Sequence, residues 1–208
     1  MSDLRDQYAR QAGDWTESAY ADVGAYLAHR ADLIASLGPP LQPGDEVLDL
    51  ACGDGGLADA LLERGFGYRG ADGTPEMVEA ARARLAGRAE VELGDLNEYV
   101  PPHPVAATTV FRAIYYARDR RAFFEHVLGY TRRKLVFDLN PRQYRVDDVV
   151  DDLHAAGFGS VVMRPFFVPQ TVSLPRPLLA AAKALERSGP LARLALRARF
   201  TYVVAASR

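Results

Sequence analysis

Apolar and polar positions along this chain follow two periods, one typical of buried strands and one typical of amphipathic helices. Strands alternate with helices in this pattern, which predicts a doubly wound α/β sheet with helices on both faces. In such sheets, ligands bind outside the carboxyl ends of the strands. The predicted strands are residues 46–51, 67–72, 89–93, 105–112, 134–139, 160–168 and 200–206. The predicted helices are residues 4–36, 55–64, 75–85, 121–128, 146–153 and 178–187.

Composition and charge narrow the class of protein. The chain has 208 residues, of which 49% are hydrophobic and 25% charged, so we expect an ordinary globular protein. Its formal net charge of -2 gives no electrostatic footprint for nucleic acid. A single cysteine, Cys52, fits a reducing compartment. With neither a signal peptide nor a membrane-spanning run, we expect a cytoplasmic protein without stable membrane insertion, monomeric or homodimeric.

Acidic residues end the first three predicted strands. Asp49 comes just before a glycine turn that leads directly into a helix, where backbone N–H groups face a ligand. Asp72 follows about 20 residues after this turn, the sequence separation at which a carboxylate reaches the ribose hydroxyls of a bound nucleoside. Asp95 ends the third strand and is placed to accept from an exocyclic amino group, while Met77 is placed to lie against a flat base. Together these residues predict a pocket for a nucleoside cofactor.

Three motifs in order carry a family resemblance. Residues 49–55, DLACGDG, resemble the first motif of class I methyltransferases that use S-adenosylmethionine. Residues 70–77, GADGTPEM, resemble the second motif, and residues 94–96, GDL, resemble the third. Ala51 stands where glycine is usual, and the acid that the family often carries near the start of its fourth strand is absent.

The resemblance implies a Rossmann-like sheet of seven strands, mostly parallel with an antiparallel last strand. It also implies a single methyltransferase domain over residues 1–208, with a helical lid over 1–40, a cofactor-binding core over 41–140, and a substrate-side and sheet-closing part over 141–208. The cofactor would be S-adenosylmethionine, which leaves as S-adenosylhomocysteine. The residues implied to bind it are Asp49, Ala51, Gly53, Asp72, Gly73, Met77, Asp95, Leu96, Phe111 and Arg112 in the core and Tyr8 and Trp15 in the lid.

Fewer features of the sequence bear on the acceptor. Tyr115 and Tyr116 follow the fourth strand, where they would face the transferable methyl group; packing under a loop is the alternative. His103, between prolines, is a candidate general base, with a purely structural loop residue as the alternative. We expect no metal. Metal-dependent relatives carry acid and amide ligands near Asp138 and Asn140, but their third ligand, an acid after the fourth strand, is missing here. The two remaining oxygen donors make a poor divalent site.

The function that these features favour is methyl transfer from S-adenosylmethionine to a small-molecule acceptor, with secondary metabolism as one setting. An NAD(P)-dependent oxidoreductase is the first alternative, because residues 53–58, GDGGLA, match G-x-G-x-x-A. A non-catalytic S-adenosylmethionine-binding module is the second alternative. Residues 176–199 mix leucine and alanine with arginine. They favour a solvated amphipathic helix over contact with a membrane or an apolar substrate.

Overall fold

Seven strands form one mixed sheet. The structure is a computed structural model, and it describes residues 15–196 and 201–208. The strands are β1 (Glu46–Leu50), β2 (Gly67–Asp72), β3 (Glu90–Leu93), β4 (Val105–Val110), β5 (Thr131–Leu139), β6 (Ser160–Pro165) and β7 (Tyr202–Ser207). Their order is β3-β2-β1-β4-β5-β7-β6, and β7 pairs antiparallel with both β5 and β6. The predicted sheet, with its antiparallel last strand, is therefore confirmed.

Helices cover both faces of this sheet. They are α1 (Trp15–Ala19), α2 (Val23–Ser36), α3 (Leu57–Leu62), α4 (Pro75–Leu85), α5 (Arg120–Tyr130), α6 (Val146–Ala155), α7 (Arg176–Glu186) and α8 (Pro190–Leu196). Val47 and Leu48 are neighbours on β1 whose side chains enter opposite apolar cores. One core contains side chains of α2, α3 and α4, and the other contains those of α5 and α6. Strand β4 is buried along its whole length, as its continuous apolar pattern predicts.

The amino-terminal segment, predicted to be helical over residues 4–36, is divided between two helices in its described part. Residues 1–14 lie outside the described part of the chain. The rest forms two helices, because the Asp22 carboxylate accepts the Ala25 N–H at 2.9 Å and begins α2 as its N-cap. At the other end of α2, the buried Lys134 Nζ donates to the Leu37 carbonyl oxygen at 2.7 Å. Burial lowers the pKa of Lys134 to about 8.

A second difference lies near the carboxyl end. The segment predicted as an amphipathic helix over residues 176–199 contains two helices, because α7 ends at Glu186 and Pro190 begins α8 after Gly189. Proline is favoured in the first turn of a helix because its missing N–H has no intrahelical partner there. None of the helices in the described residues is long and apolar enough to cross a membrane.

The sheet topology fixes where a ligand pocket can form. Strand β1 pairs with β2 on one side and with β4 on the other, so the strand order reverses beside β1. The chain leaves these parallel strands at one edge of the sheet, in directions that diverge on either side of β1. A crevice at that edge is the expected ligand site of an open α/β sheet.

Candidate active site

The loop after β1 turns through three left-handed residues, Ala51, Gly53 and Gly55. Gly53 has a φ of 58° and Ala51 a φ of 56°, a region that favours glycine because it crowds a Cβ atom. The Gly53 N–H donates to the Asp72 carboxylate at 2.9 Å, so the end of β2 holds the loop in place. The resemblance places glycine at position 51, and the observed φ gives the physical reason for that preference.

Asp72 joins the ends of two strands. One carboxylate oxygen accepts from Gly53, and the other accepts the Thr74 N–H at 2.9 Å at the start of α4. Thr74 is the N-cap residue of α4, but its side chain makes no capping hydrogen bond. Asp72 instead pairs one of the free backbone N–H groups at this helix terminus, that of Thr74. Burial raises the pKa of Asp72, and the two backbone hydrogen bonds oppose that rise. Each oxygen keeps a further lone pair for a ligand hydroxyl.

Asp49 is a carboxylate buried beneath the glycine loop. Its side chain accepts from the Tyr68 hydroxyl at 3.0 Å and from the Thr109 hydroxyl at 2.7 Å. Burial raises its pKa to about 6, although both hydroxyl groups favour the charged form. A buried negative charge with only neutral hydrogen-bond donors favours a cationic ligand nearby, because the cation would offset its loss of hydration.

Asp95 lies beyond the end of β3 and is already engaged within the chain. Asn97 donates to one carboxylate oxygen through its backbone N–H and its side chain, each at 2.8 Å. Arg118 donates to the other oxygen at 2.5 Å. Although partial burial opposes the change, Asn97 and Arg118 together lower the pKa of Asp95. An adenine amino group would add to this network rather than complete it.

A buried cation of α2, Arg30, lies against the end of β4 at the carboxyl edge of the sheet. Arg112 has a φ of 55°, and its N–H donates to the Asp138 carboxylate at 2.7 Å. The guanidinium carbon of Arg30 lies 4.1 Å from the ring centroid of Phe111, which immediately precedes Arg112. Strands β3 and β4 lie on opposite sides of β1, and the resemblance assigns the β4 side to the methionine end of the cofactor.

Arg30 is the functional candidate that sequence analysis missed. It is only 5% exposed, and its Nε has no hydrogen-bond partner among the described residues. Its two other nitrogens donate to the Tyr26 and Tyr20 hydroxyls at 3.1 and 3.5 Å. Burial would lower its pKa, but these phenol oxygens outweigh burial and raise it, so the guanidinium is charged. A basic residue on the buried stripe of α2 was the available signal.

Helix α1 is fastened to the glycine loop through Asp54, which sequence analysis also left without a role. The Thr16 N–H donates to the Asp54 carboxylate at 3.0 Å, and the Thr16 hydroxyl donates to its other oxygen. Arg84 on α4 pairs with both Asp54, at 3.0 Å, and Glu17, at 2.7 Å. The segment predicted as a lid therefore contacts the loop directly.

A substitution at Gly56 tests this attachment. Gly56 has an ordinary helical φ of -58°, but a Cβ atom there would lie 2.1 Å from the Thr16 hydroxyl oxygen. We expect Gly56→Ala to displace α1 and to increase amide hydrogen exchange over residues 16–19. Gly129→Ala is the matched control, because a Cβ there meets nothing within 4 Å in the last turn of α5. It should leave this exchange unchanged and stabilise the chain by at most about 1 kcal/mol. Unaltered exchange in Gly56→Ala would contradict the attachment.

The two tyrosines predicted for the acceptor side lie at the carboxyl edge of the sheet. Tyr115 and Tyr116 form a single 3₁₀ turn after β4, are 44% and 37% exposed, and have ring centroids 4.4 Å apart. The Tyr116 carbonyl accepts from the Asn97 side chain at 3.2 Å, which places this turn beside the Asp95 loop. Met77 on α4, which was predicted to lie against the adenine base, has a buried side chain that is only 2% exposed.

One predicted residue, His103, does not join this cluster, and the side chains of two others lie outside the description. His103 lies at the opposite edge of the sheet, where its ring bonds to Glu46 at the amino end of β1 at 2.7 Å. Tyr8 lies outside the described residues. Trp15 begins α1, but its side chain is outside the description. Across the part of the chain that the structure describes, no three His, Cys, Asp or Glu side chains gather to hold a metal.

Comparisons with known proteins agree with this architecture. Residues 47–134 match the family described as "Methyltransferase domain". A trans-aconitate 2-methyltransferase of Rhizobium etli is 33% identical over 117 residues, which cover 55% of this chain and 44% of that protein. The chain thus spans about half the length of the curated relatives that it matches. Part of the chain, including β1 to β4, carries the sequence likeness.

Solved structures share the fold over nearly the whole chain. A structure of a Haloferax volcanii methyltransferase in complex with the Trm112 methyltransferase activator has a TM-score of 0.70 at 20% identity, covering 99% of this chain and 96% of its own. Magnesium protoporphyrin IX methyltransferase from Synechocystis, with bound S-adenosylhomocysteine, has a TM-score of 0.65 at 17% identity, covering 100% and 99%. The fold is that of the Rossmann-like methyltransferases. The family match over residues 47–134 and these structures agree with the resemblance that the three motifs carry.

Proposed function

We propose that this chain transfers the methyl group of S-adenosylmethionine to a small-molecule acceptor. The observation that carries the proposal is the convergence of Asp49, Asp72 and Asp95 after three adjacent strands, around a loop fixed by the Gly53–Asp72 hydrogen bond. Asp95 would face adenine and Asp72 the ribose hydroxyls. Asp49 would face the cationic methionine end. A dinucleotide oxidoreductase needs neither the buried carboxylate before the loop nor the one after β3.

The chemistry places modest demands on the protein. The bound cofactor supplies an activated methyl group on a sulfonium, so the chain must mainly align a nucleophile with that carbon and exclude water. The acceptor atom gains a bond to the methyl carbon as the carbon–sulfur bond breaks. The acceptor then releases a proton to solvent or to a nearby base. This assignment does not involve His103, because that side chain lies at the other edge of the sheet.

Calorimetric titration with S-adenosylmethionine, S-adenosylhomocysteine and NAD tests the cofactor. We expect the first two to bind at micromolar concentrations and NAD not to bind; binding of NAD alone would overturn the proposal in favour of an oxidoreductase. Acceptors follow by assay for S-adenosylhomocysteine release. Trans-aconitate and other small carboxylic acids come first, because a relative is named for that substrate. Product without any added acceptor would indicate only cofactor hydrolysis.

Arg30 is expected to bind the carboxylate of the cofactor. Its guanidinium is buried, charged and not fully hydrogen-bonded, so an anionic ligand group at the end of β4 would satisfy it. Arg30→Met should weaken binding of S-adenosylhomocysteine by about tenfold or more, from the loss of about 1.5–3 kcal/mol. Binding of methylthioadenosine, which has no carboxylate, should change little.

Lys134→Met is the matched control for this prediction, since it also removes a buried cation but one that bonds to the end of α2. It should lower the melting temperature without changing the preference for S-adenosylhomocysteine over methylthioadenosine. An equal loss of both ligands in Arg30→Met would show that Arg30 only packs α2.

Tyr115 remains the candidate for contact with the acceptor. Its exposure of 44% leaves part of the side chain accessible at the edge where the methyl group would lie. If the hydroxyl orients the nucleophile, Tyr115→Phe should lower turnover while cofactor affinity stays unchanged. Equal turnover in the two proteins would assign the ring to packing alone.

A further inference from the structure

Helices α7 and α8 expose four leucines to solvent. Leu178 and Leu185 on α7 are 55% and 38% exposed, and Leu191 and Leu194 on α8 are 60% and 59% exposed. We call these four residues the leucine face. Isolated exposed leucines are ordinary, but four on two consecutive helices form an apolar surface that a solvated helix pair does not need.

The exposed side of α7 is apolar by its helical spacing. Leu178, Ala181 and Leu185 follow the three- and four-residue spacing of a single stripe, and all three are exposed. The neighbouring stripe, which contains Leu179 and Glu186, packs onto the protein. A helix whose only role is to cover the core would carry polar residues on its outer stripe. The outer stripe of α7 therefore indicates a second apolar environment.

The charge of α7 is positive, although the whole chain has a net charge of -2. Helix α7 and the residue after it contain three cations, Arg176, Lys183 and Arg187, and one acid. The one acid, Glu186, is buried against His29 at 2.5 Å and accepts the Phe167 N–H at 2.7 Å, so it does not neutralise the surface. Arg176 and Arg187, at the two ends of α7, are both exposed.

We propose that α7 and α8 form a peripheral docking surface for anionic lipid bilayers. Exposed leucines flanked by cations are the combination that binds a helix in the plane of a charged membrane surface. Helix α7 has 11 residues, well short of the roughly 20 that span a bilayer, so it would lie on the surface. A symmetric contact between two copies is disfavoured, because the same cationic patch would face itself.

A buried contact joins α7 to α2, the helix that carries Arg30. Glu186 ties the end of α7 to His29 on α2, one residue before Arg30. Membrane docking would thus place the pocket edge beside the lipid headgroups. The docking proposal does not depend on the proposed methyl transfer, so an experiment can contradict either proposal without contradicting the other.

Sedimentation of the full chain with vesicles tests the proposal. We expect binding to vesicles of three parts phosphatidylcholine to one part phosphatidylglycerol, weaker binding at high salt, and little binding to phosphatidylcholine alone. The double variant Leu191→Ser/Leu194→Ser should weaken binding by about tenfold or more. Arg176→Glu should weaken it several-fold, while its new acid suits the first turn of α7.

Two matched controls lie outside the surface. Val100→Ser replaces an apolar residue that is 60% exposed in the loop before β4, and Arg121→Glu reverses an exposed charge in the first turn of α5. Both should bind vesicles as the unchanged chain does, and all variants should keep their affinity for S-adenosylhomocysteine. The proposal is overturned if the unchanged chain ignores anionic vesicles or if the double serine variant binds them equally well. A dimer that the double variant dissociates, without vesicle binding, would assign the surface to a second copy instead.

Discussion

Replacing Asp72 with alanine is expected to weaken the binding of S-adenosylmethionine at least about a hundredfold. The carboxylate would accept from the ribose, and it also holds the Gly53 and Thr74 N–H groups at 2.9 Å each. Hydrogen bonds to a charged group contribute about 1.5–3 kcal/mol each, so losing two costs about 3 kcal/mol or more. A tenfold change in affinity corresponds to about 1.4 kcal/mol, which gives the hundredfold estimate. Calorimetric titration measures it directly.

The pattern across ligands distinguishes Asp72 from Arg30. Because every adenosine ligand carries the ribose, Asp72→Ala should weaken S-adenosylhomocysteine and methylthioadenosine alike, whereas Arg30→Met should weaken only the first. Asp45→Ala is the control, since Asp45 also accepts a backbone N–H, from Gln42 at 2.7 Å, but lies just before β1 at the far edge of the sheet. Its ligand affinities should be unchanged. Asp72→Ala with unchanged affinity would contradict the ribose assignment.

The parts of the site that sequence analysis predicted are those fixed by local structure. A strand end, a glycine turn and a helix start are encoded within a few residues, so Asp49, Gly53 and Asp72 could be placed from their spacing alone. The same holds for the sheet, because apolar runs and helical periods alternate along the chain. The helices changed most, where Asp22 caps α2 and where Pro190 begins α8. Several strand ends also moved by two or three residues, as at β6, which ends at Pro165.

The missed residues depend on contacts between distant parts of the chain. His29 and Glu186 are 157 positions apart, and Thr16 and Asp54 are 38 apart. No periodic pattern reports such pairs. Arg30 is intermediate: its place on the buried stripe of α2 was visible, but its neighbour Phe111 was not.

His103 shows the opposite case, in which the sequence contained a usable signal. It comes two residues before β4 begins, and the start of a parallel strand lies at the amino edge of the sheet, away from the ligand crevice. The same rule places Tyr115 and Tyr116, which follow β4, at the carboxyl edge. Position relative to a strand end therefore separates these candidates better than residue type does.

Asp49→Asn is expected to make the protein more stable at pH 7.5 but weaker in cofactor binding. Burial raises the pKa of Asp49 from 3.8 to about 6, so folding favours its protonated form. Its contribution to stability is fully present below pH 3.8 and is lost as pH rises through about 6. At about 1.4 kcal/mol per pKa unit, the charge costs at most about 3 kcal/mol at pH 7.5. Asparagine stays neutral and still bonds to Tyr68 and Thr109.

Urea unfolding of both proteins at pH 4.5 and pH 7.5 measures this effect. The stability difference between Asp49→Asn and the unchanged chain should grow with pH, and most of it should appear between about pH 4 and 6. Asp22→Asn is the control, because asparagine caps a helix as well as aspartate does and should alter stability by only a few tenths of a kcal/mol. A variant that is less stable at pH 7.5 would contradict the buried-charge argument.

The cofactor should reverse this balance. Its cationic methionine end would face Asp49, so ligand affinity of the unchanged chain should fall as pH drops through about 6 and the carboxylate takes up a proton. In Asp49→Asn, that pH dependence should disappear and affinity at pH 7.5 should be about tenfold lower or more, from the loss of a charge-assisted hydrogen bond. A carboxylate that destabilises the free protein and strengthens the complex is expected where a site is selected for binding a cation rather than for stability.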